Sequence, residues 1–255
     1  MDLGLSGKWV LITAASGGLG PSLASSFMSE GASVILVSRS KDKLDKLRKK
    51  LTRNPELRSR VEIVTLDLDK LSAPERLLNW IQNKKIDLDI VVHHLGGTLG
   101  VKSSVCKRDE WTKVIWHNAL FAITFNGLIA PFLLKREWAR VVHVSSISGK
   151  SLRGSGPYAA SKAFLDAYVT TVSREFGGSN VVFSSVSPGA LLIQGGDWEK
   201  KLKNNPSMCK DFLRHHQACG RFGAADEIAP FILLLSSRLA TFSQGANCNI
   251  DGGTM

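Results

Sequence analysis

The chain has 255 residues, 44% of them hydrophobic, and a formal net charge of +11, enough apolar material to bury the core of one α/β domain. Its four cysteines, Cys106, Cys209, Cys219 and Cys248, are widely spaced with no CxxC pair, which points to reduced thiols in a cytoplasmic protein and away from a disulfide scaffold. The positive charge does not point to nucleic acid: the densest basic run (Lys41, Lys43, Lys46, Arg48, Lys49, Lys50) interleaves with Leu44, Leu47 and Leu51 at helical spacing and carries no aromatics for base stacking, so it reads as the solvated side of an amphipathic helix with a mild preference for small anions.

Residues 8–13 (KWVLIT) form a short, near-continuous apolar run, the pattern of a parallel strand covered on both faces. No basic region precedes it and it is too short to span a membrane, so a soluble protein is expected. It feeds into AASGGLG, after which residues 19–30 carry helical periodicity. A strand, a glycine-rich turn and a helix make a phosphate cradle, in which Gly17, Gly18 and Gly20 let the backbone approach a pyrophosphate at the helix N-terminus. Taken alone, the same glycines would serve a plain tight turn.

Residues 33–38 (SVILVS) are a second buried strand, ending in Ser38-Arg39-Ser40. An acidic residue at this strand end would grip the ribose 2′-hydroxyl of NAD; serine stands there instead, and the following arginine suits a 2′-phosphate, so NADPH is favoured over NADH. The plainer alternative is that Arg39 opens the basic helix. Residues 61–66 (VEIVTL) are a third strand, followed by Asp67-Leu68-Asp69 and a helix over about 72–83. Asp67 is placed either to accept a hydrogen bond from an adenine amine or to cap that helix.

Residues 89–93 (DIVVH) are a fourth strand, running into His94-Leu95-Gly96-Gly97, where small residues allow close approach to a cofactor. Adjacent His93 and His94 face opposite sides of a strand and have no carboxylate or cysteine spaced to complete a site, so no metal is expected. A helix is predicted over about 109–135, with Asn118 in its first half, ordinarily a solvent-facing or capping residue. Its apolar part, 119–134, is interrupted by Thr124, Asn126 and Pro131 and reads as a buried or interface helix, with no membrane insertion.

The stretch 141–162 (VVHVSSISGKSLRGSGPYAASK) carries the chemistry. It reads as a β-branched strand, a Gly/Ser loop and a helix opening near Pro157. Ser146 lies where the strand ends, and Tyr158 and Lys162, four residues apart, share one helix face. Such a trio suits proton transfer coupled to reduction of a carbonyl or oxidation of an alcohol. A phenol with an ordinary pKa near 10 needs roughly 4 kcal/mol of help to ionise near neutrality. A neighbouring ammonium supplies it by Coulomb attraction, and the serine hydroxyl can hold a substrate carbonyl against the phenol. An isolated Tyr/Lys pair at this spacing is more often a buried aromatic beside a surface lysine.

Several motifs occur here in one order, and on them the chain resembles the short-chain dehydrogenase/reductase superfamily along nearly its whole length. The family's TGxxxGxG loop appears as Thr13-Ala14-Ala15-Ser16-Gly17-Gly18-Leu19-Gly20, its NNAG element as His93-His94-Leu95-Gly96, its catalytic asparagine as Asn118, its serine as Ser146 and its YxxxK motif as Tyr158 and Lys162. A sixth strand over 181–186 leads to the Pro188-Gly189 turn that lines the nicotinamide pocket in the family, and GRFGAADEIAPFILLLSS with GANCNIDGG matches its closing helix and strand.

The resemblance implies one domain over 1–255, an α/β, doubly wound Rossmann-type, mostly parallel seven-stranded sheet with helices on both faces, and a lid over about 190–221. It implies that Tyr158 gives a proton to a ketone oxygen during hydride transfer, that Lys162 lowers the tyrosine pKa and holds the nicotinamide ribose, that Ser146 orients the substrate and that Asn118 supports a water relay. Contacts to NADP(H) are expected from Thr13, Ala15, Ser16, Gly18, Leu19, Gly20, Ser38, Arg39, Asp67, Leu68, Leu95, Gly96, Pro188, Gly189 and Leu191 besides Tyr158 and Lys162. A homodimer or homotetramer is expected through the helices at about 109–135 and 157–177.

Three departures from the family pattern stand out. Ala14 replaces the first glycine, which is harmless if its φ is negative. His93-His94-Leu95 replaces Asn-Asn-Ala, altering the support of the central strand and the fit around the adenosine ribose. The threonine often found after Pro-Gly is missing from ALLIQGG.

For the substrate, the segment 190–221 offers Trp198, Lys200, Lys201, Lys203, Lys210, Arg214, His215 and His216, and Arg153 precedes the catalytic helix. A basic lid with an indole would take a sugar phosphate, nucleotide sugar or sugar acid, with Trp198 stacking on a ring; the alternative is a solvated amphipathic helix over the pocket. HLGGTLG and GALLIQGGDWEKKLKNNP are similar to reductases of bacterial surface-carbohydrate synthesis. Two other readings stay open: a 3-oxoacyl carrier-protein reductase whose basic patch docks an acidic carrier, and a non-catalytic NADP(H)-sensing protein.

Overall fold

A computed structural model describes residues 1–152 and 154–254. Among these residues the short apolar runs form seven strands: β1 (Trp9–Ile12), β2 (Ser33–Ser38), β3 (Val61–Thr65), β4 (Leu88–His93), β5 (Ala139–Val144), β6 (Val181–Pro188) and β7 (Asn247–Ile250). All pairings are parallel, in the order β3-β2-β1-β4-β5-β6-β7. The chain moves outward from β1 to β3, then crosses back to place β4 on the other side of β1. That reversal opens a crevice at the carboxyl ends of β1 and β4, where such sheets bind ligands.

Alternation along each strand feeds two cores. Val10 and Ile12 join a layer with Leu23 and Phe27 of α1 (Gly20–Ser29), Leu44 and Leu47 of α2 (Lys41–Leu51) and the last long helix, Ala225–Leu235. Leu11 faces the opposite layer, with Leu77 and Ile81 of α3 (Ala73–Asn83) and the apolar helix 121–133. Each fully buried aliphatic side chain contributes about 1.5–3 kcal/mol, which is why these strands read as continuous apolar runs.

The helix expected over 109–135 is broken in a way its periodicity did not reveal. It consists of α4 (Arg108–Ile115), a π-helical turn (Trp116–Leu120) and α5 (Phe121–Leu133). The turn is held from outside: Trp116 Nε1 donates to the Leu68 carbonyl at 3.0 Å, and His117 Nδ1 meets Asp69 Oδ1 at 2.5 Å. A single wide turn shifts phase without erasing the apolar stripe, so the sequence pattern stays helical. The run Arg108–Leu133 is long and apolar enough to cross a membrane, but Phe121, Phe125, Ile129 and Leu133 pack on the sheet as a core helix.

Ala14 corrects a second expectation. Its φ is +52°, in the left-handed region, not the negative value that would make the replacement harmless. A Cβ costs about 1–2 kcal/mol there, partly offset because alanine loses less chain entropy than glycine on folding. Ala14→Gly is expected to stabilise the protein by about 0.5–1 kcal/mol, read as a higher urea midpoint. A lower midpoint would contradict the strain.

Candidate active site

The remaining elements that shape the crevice are α6 (Ser148–Ser151), α7 (Gly156–Glu175), α8 (Asp197–Asn204), α9 (Pro206–His216) and α10 (Ala225–Leu235). Pro157 near the start of α7 sets its direction, and the next turn carries Tyr158 and Lys162 inward. Lys162 is only 2% exposed, and its Nζ donates to the Val144 carbonyl at the end of β5, 2.8 Å away. Burial pulls its pKa down to about 8, against a smaller opposing pull from the Asp166 carboxylate one turn further along α7.

Tyr158 departs from expectation. Burial pushes its pKa up, the Ser146 hydroxyl draws it part of the way back by hydrogen bonding, and Asp197 at the start of α8 pushes it up again. The Lys162 Nζ lies 5.9 Å from the phenol ring centroid and is turned to Val144. An upward shift favours the protonated phenol, the form needed to donate a proton to a carbonyl oxygen. Ser146 is itself fixed by accepting the Ser148 N–H at 3.1 Å.

Asn118 sits in the π-helical turn and closes a ring of contacts. Its Oδ1 accepts the Gly97 N–H at 2.9 Å, and its Nδ2 donates to the carbonyls of Gly97 and Val114, each at 2.8 Å. Both side-chain N–H groups are thus occupied, so the side chain holds the loop after β4 to the helix. A Cβ at Gly96 would stand 3.0 Å from both Asn118 Oδ1 and Lys162 Nζ, so glycine lets this loop pass between them.

On the other side of the crevice the glycine loop turns from β1 into α1. A Cβ at Gly20 would lie 2.3 Å from the Ala15 carbonyl oxygen, and Gly18 has a φ of +58°. Thr13 braces the loop to β4: its hydroxyl accepts the N–H groups of His94 at 2.8 Å and Leu95 at 3.1 Å. The Ser16 and Ser38 hydroxyls share a hydrogen bond of 2.6 Å, and Arg39 is exposed at the end of β2. Asp67 Oδ1 accepts the Asp69 N–H at 3.2 Å, a local turn beyond β3, and Leu68 is buried. At the end of β6, Pro188 pairs with Ile250, the Gly189 N–H donates to the Ile250 carbonyl at 3.1 Å, and Leu191 pairs with Gly223.

These residues fit a dinucleotide. Gly20 keeps the cradle at the start of α1 free of a side chain, no side chain caps that helix, β2 ends without a carboxylate, and the buried Lys162 amine has N–H groups beyond the one Val144 accepts. One donor of the cradle is occupied, since the Leu19 N–H is bonded to His94 Nε2 at 3.2 Å. Sequence reasoning weighed His94 as a metal ligand and as a departure from the Asn-Asn pattern, not as a partner of the glycine loop; it also missed Asp197, whose effect on Tyr158 has no local signature.

The substrate residues fare differently. The Trp198 ring packs 4.3 Å from Phe212, 5.0 Å from Phe222 and 4.3 Å from Lys201 Nζ and stays partly exposed, so those side chains already cover part of its face. Lys200, Lys201, Lys203, Lys210, Arg214 and His215 are exposed, as a solvated amphipathic face would be. Arg153 lies outside the described residues.

The family model for short chain dehydrogenases matches residues 8–200. The chain is 30% identical over 250 residues to a 3-oxoacyl-[acyl-carrier-protein] reductase of Thermotoga maritima, covering 98% of both, and 27% identical over 250 residues to meso-2,3-butanediol dehydrogenase of Serratia marcescens, covering 96% of this chain and 94% of that protein. Among solved structures, L-sorbose reductase from Gluconobacter frateurii, complexed with NADPH and L-sorbose, superimposes with a TM-score of 0.91 at 26% identity, over 100% of this chain and 98% of that one.

Proposed function

The chain belongs to the short chain dehydrogenase family, and on that premise we propose that it is an NADP(H)-preferring oxidoreductase that interconverts a ketone and a secondary alcohol on a sugar or sugar phosphate. The observation that carries this reading is the placement of Tyr158 one helical turn from the buried Lys162 amine on α7, 5.9 Å from ring centroid to Nζ, beside Ser146 just beyond the end of β5. A nicotinamide dinucleotide, when bound, supplies the hydride or accepts it. Tyr158 gives its proton to the carbonyl oxygen, Ser146 holds that oxygen in place, and the remaining N–H groups of Lys162 serve the cofactor ribose. Asn118 positions the loop on which the cofactor rests.

The preference for NADP(H) is supported by Ser38 and exposed Arg39 at the end of β2, a strand that ends without a carboxylate of its own. The sugar class is supported by the likeness to L-sorbose reductase. The segment 190–221 is proposed as the lid, because Asp197 at its first helix acts on Tyr158. Homo-oligomers are proposed through α5 and α7, which expose Phe132 (37%) and Phe164 (49%); a monomer by light scattering at micromolar concentration would remove that part.

The second reading is a 3-oxoacyl carrier-protein reductase, favoured by the 30% identity to the Thermotoga maritima protein and by a net charge of +11 suited to an acidic carrier. The purified protein should be given NADPH or NADH with ketoses, sugar phosphates and acyl thioesters while nicotinamide absorbance is followed. Turnover confined to sugars with a lower Michaelis constant for NADPH is the expected result. Turnover of thioesters alone selects the second reading, a lower Michaelis constant for NADH removes the cofactor preference, and tight NADPH binding with no turnover leaves a sensor.

A further inference from the structure

We propose that His94 gates the diphosphate end of the dinucleotide site, so that cofactor binding requires the imidazole to give up the Leu19 N–H and draws a proton onto the ring. The proposal rests on the dinucleotide reading above and adds to it a residue, a ligand group and a pH dependence.

The geometry comes from two segments 75 residues apart in the chain. His94 follows β4, and its imidazole lies over the glycine loop that follows β1. A Cβ on Gly18 would stand 2.8 Å from both Cε1 and Nε2 of the ring, so only a glycine there admits it. Nε2 accepts the Leu19 N–H at 3.2 Å. This N–H belongs to the residue just before α1, among the donors that a helix start presents to a phosphate.

In this arrangement the imidazole is neutral, and its hydrogen is on Nδ1 because Nε2 is accepting. Nδ1 is buried without a hydrogen-bond partner. The site thus holds a lone pair aimed at the loop and, behind it, an Nδ1–H with no partner at hydrogen-bonding geometry. A phosphate oxygen arriving at the Leu19 N–H would face that lone pair, two acceptors competing for one donor.

Protonation at Nε2 resolves the conflict. One N–H bond forms, with the proton taken from solvent; the Leu19 hydrogen bond passes from imidazole to phosphate, and the imidazolium becomes a charge-assisted donor to the same anion. The groups facing the ring explain why this waits for the ligand. Burial, followed by the charge of Lys162 from α7, holds the His94 pKa down to about 4 against smaller upward pulls from the backbone of Thr13 and Ala14, so the imidazole is neutral in the free protein at neutral pH. The two negative charges of a diphosphate oppose both effects and raise the pKa in the complex.

Isothermal titration with ADP-ribose tests this, because that probe carries the diphosphate and no group that titrates between pH 6 and 8.5. In two buffers of different ionisation enthalpy at pH 6.5, the wild-type protein should take up part of a proton on binding, and its affinity should fall as pH rises. His94→Asn, with an amide that donates and accepts without titrating, should bind without proton uptake, show a flat pH profile, and bind about tenfold tighter at pH 8, the worth of one hydrogen bond. His94→Gln is made in parallel, and circular dichroism confirms that each variant is folded. Wild-type binding with no proton uptake, or variants that keep it, overturn the gate alone. Failure of both ADP-ribose and NADPH to bind the wild-type protein at any pH overturns the dinucleotide reading and the gate with it.

Discussion

Tyr158→Phe is expected to lower kcat about a thousandfold, in the middle of the range for removing a positioned general acid, and to leave the Kd for NADPH within about twofold. Phenylalanine keeps the ring that packs beside Lys162 and removes only the hydroxyl that Ser146 addresses. Substrate and cofactor would still bind, but the carbonyl oxygen would develop charge with no proton donor in reach. Stopped-flow absorbance gives kcat and fluorescence titration of NADPH gives Kd. A variant that keeps more than about a tenth of the activity would sink the assignment of Tyr158 as the acid, since a single general acid contributes at least about a hundredfold.

The second large effect concerns stability and rests on a polar chain inside the core. His93, at the end of β4, meets Asn126 Oδ1 of α5 at 2.8 Å through Nε2. The Asn126 amide donates to His143 Nε2 of β5 at 3.0 Å and to the Tyr168 hydroxyl of α7 at 3.1 Å. His143 Nδ1 faces the Ser184 carbonyl of β6 at 3.3 Å. These bonds place hydrogen on His93 Nε2 and on His143 Nδ1 and make His143 neutral, since its Nε2 accepts; burial keeps His93 neutral as well. Asn126→Leu would leave the buried His93 and His143 imidazoles, and the half-buried Tyr168 hydroxyl, without this partner, costing on the order of 2–5 kcal/mol, a large fraction of a typical domain's stability. A urea midpoint within error of the wild type would refute this.

The same chain makes the protein acid-sensitive. Burial lowers the His93 pKa to about 4 and holds His143, which also feels His93, well below the ordinary 6.5; His94 is lowered to about 4. All three are depressed in the folded state, so the unfolded chain binds more protons below pH 6.5. Stability is therefore full above about pH 6.5 and falls as pH drops toward 4, by about 1.4 kcal/mol per pH unit for each histidine that stays neutral in the fold. Urea unfolding at pH 7, 6 and 5 should show a falling midpoint that steepens below 6. A flat midpoint over this range would mean that these imidazoles are not held neutral.

The tyrosine, lysine and serine were legible in the chain because their geometry is local. A four-residue spacing on a helix and a serine at a strand end set relative positions through backbone periodicity alone. The glycine cradle was legible for a similar reason, since strand, turn and helix are contiguous. The histidines were not. His93 and His94 are visible as a departure from Asn-Asn, but their hydrogen-bond partners, Asn126 and Leu19, come from distant segments that only packing brings near.

Trp198 and Asn118 show the same limit in opposite directions. An indole in a basic segment looks available to a sugar, yet Phe212 and Phe222 close on it. A helical asparagine looks ordinary, yet a π-helical turn aims it at the loop after β4. By itself, the sequence determined the α/β class, the run of buried strands, the glycine loop and the shared face of Tyr158 and Lys162, because alternation and helical period are properties of neighbouring residues. It was left to the tertiary structure to push the Tyr158 pKa up, to turn Ala14 left-handed, to pack Trp198 against Phe212 and Phe222 and to set His94 on the Leu19 N–H. Burial, desolvation and hydrogen-bond partnership depend on groups that arrive from elsewhere in the fold.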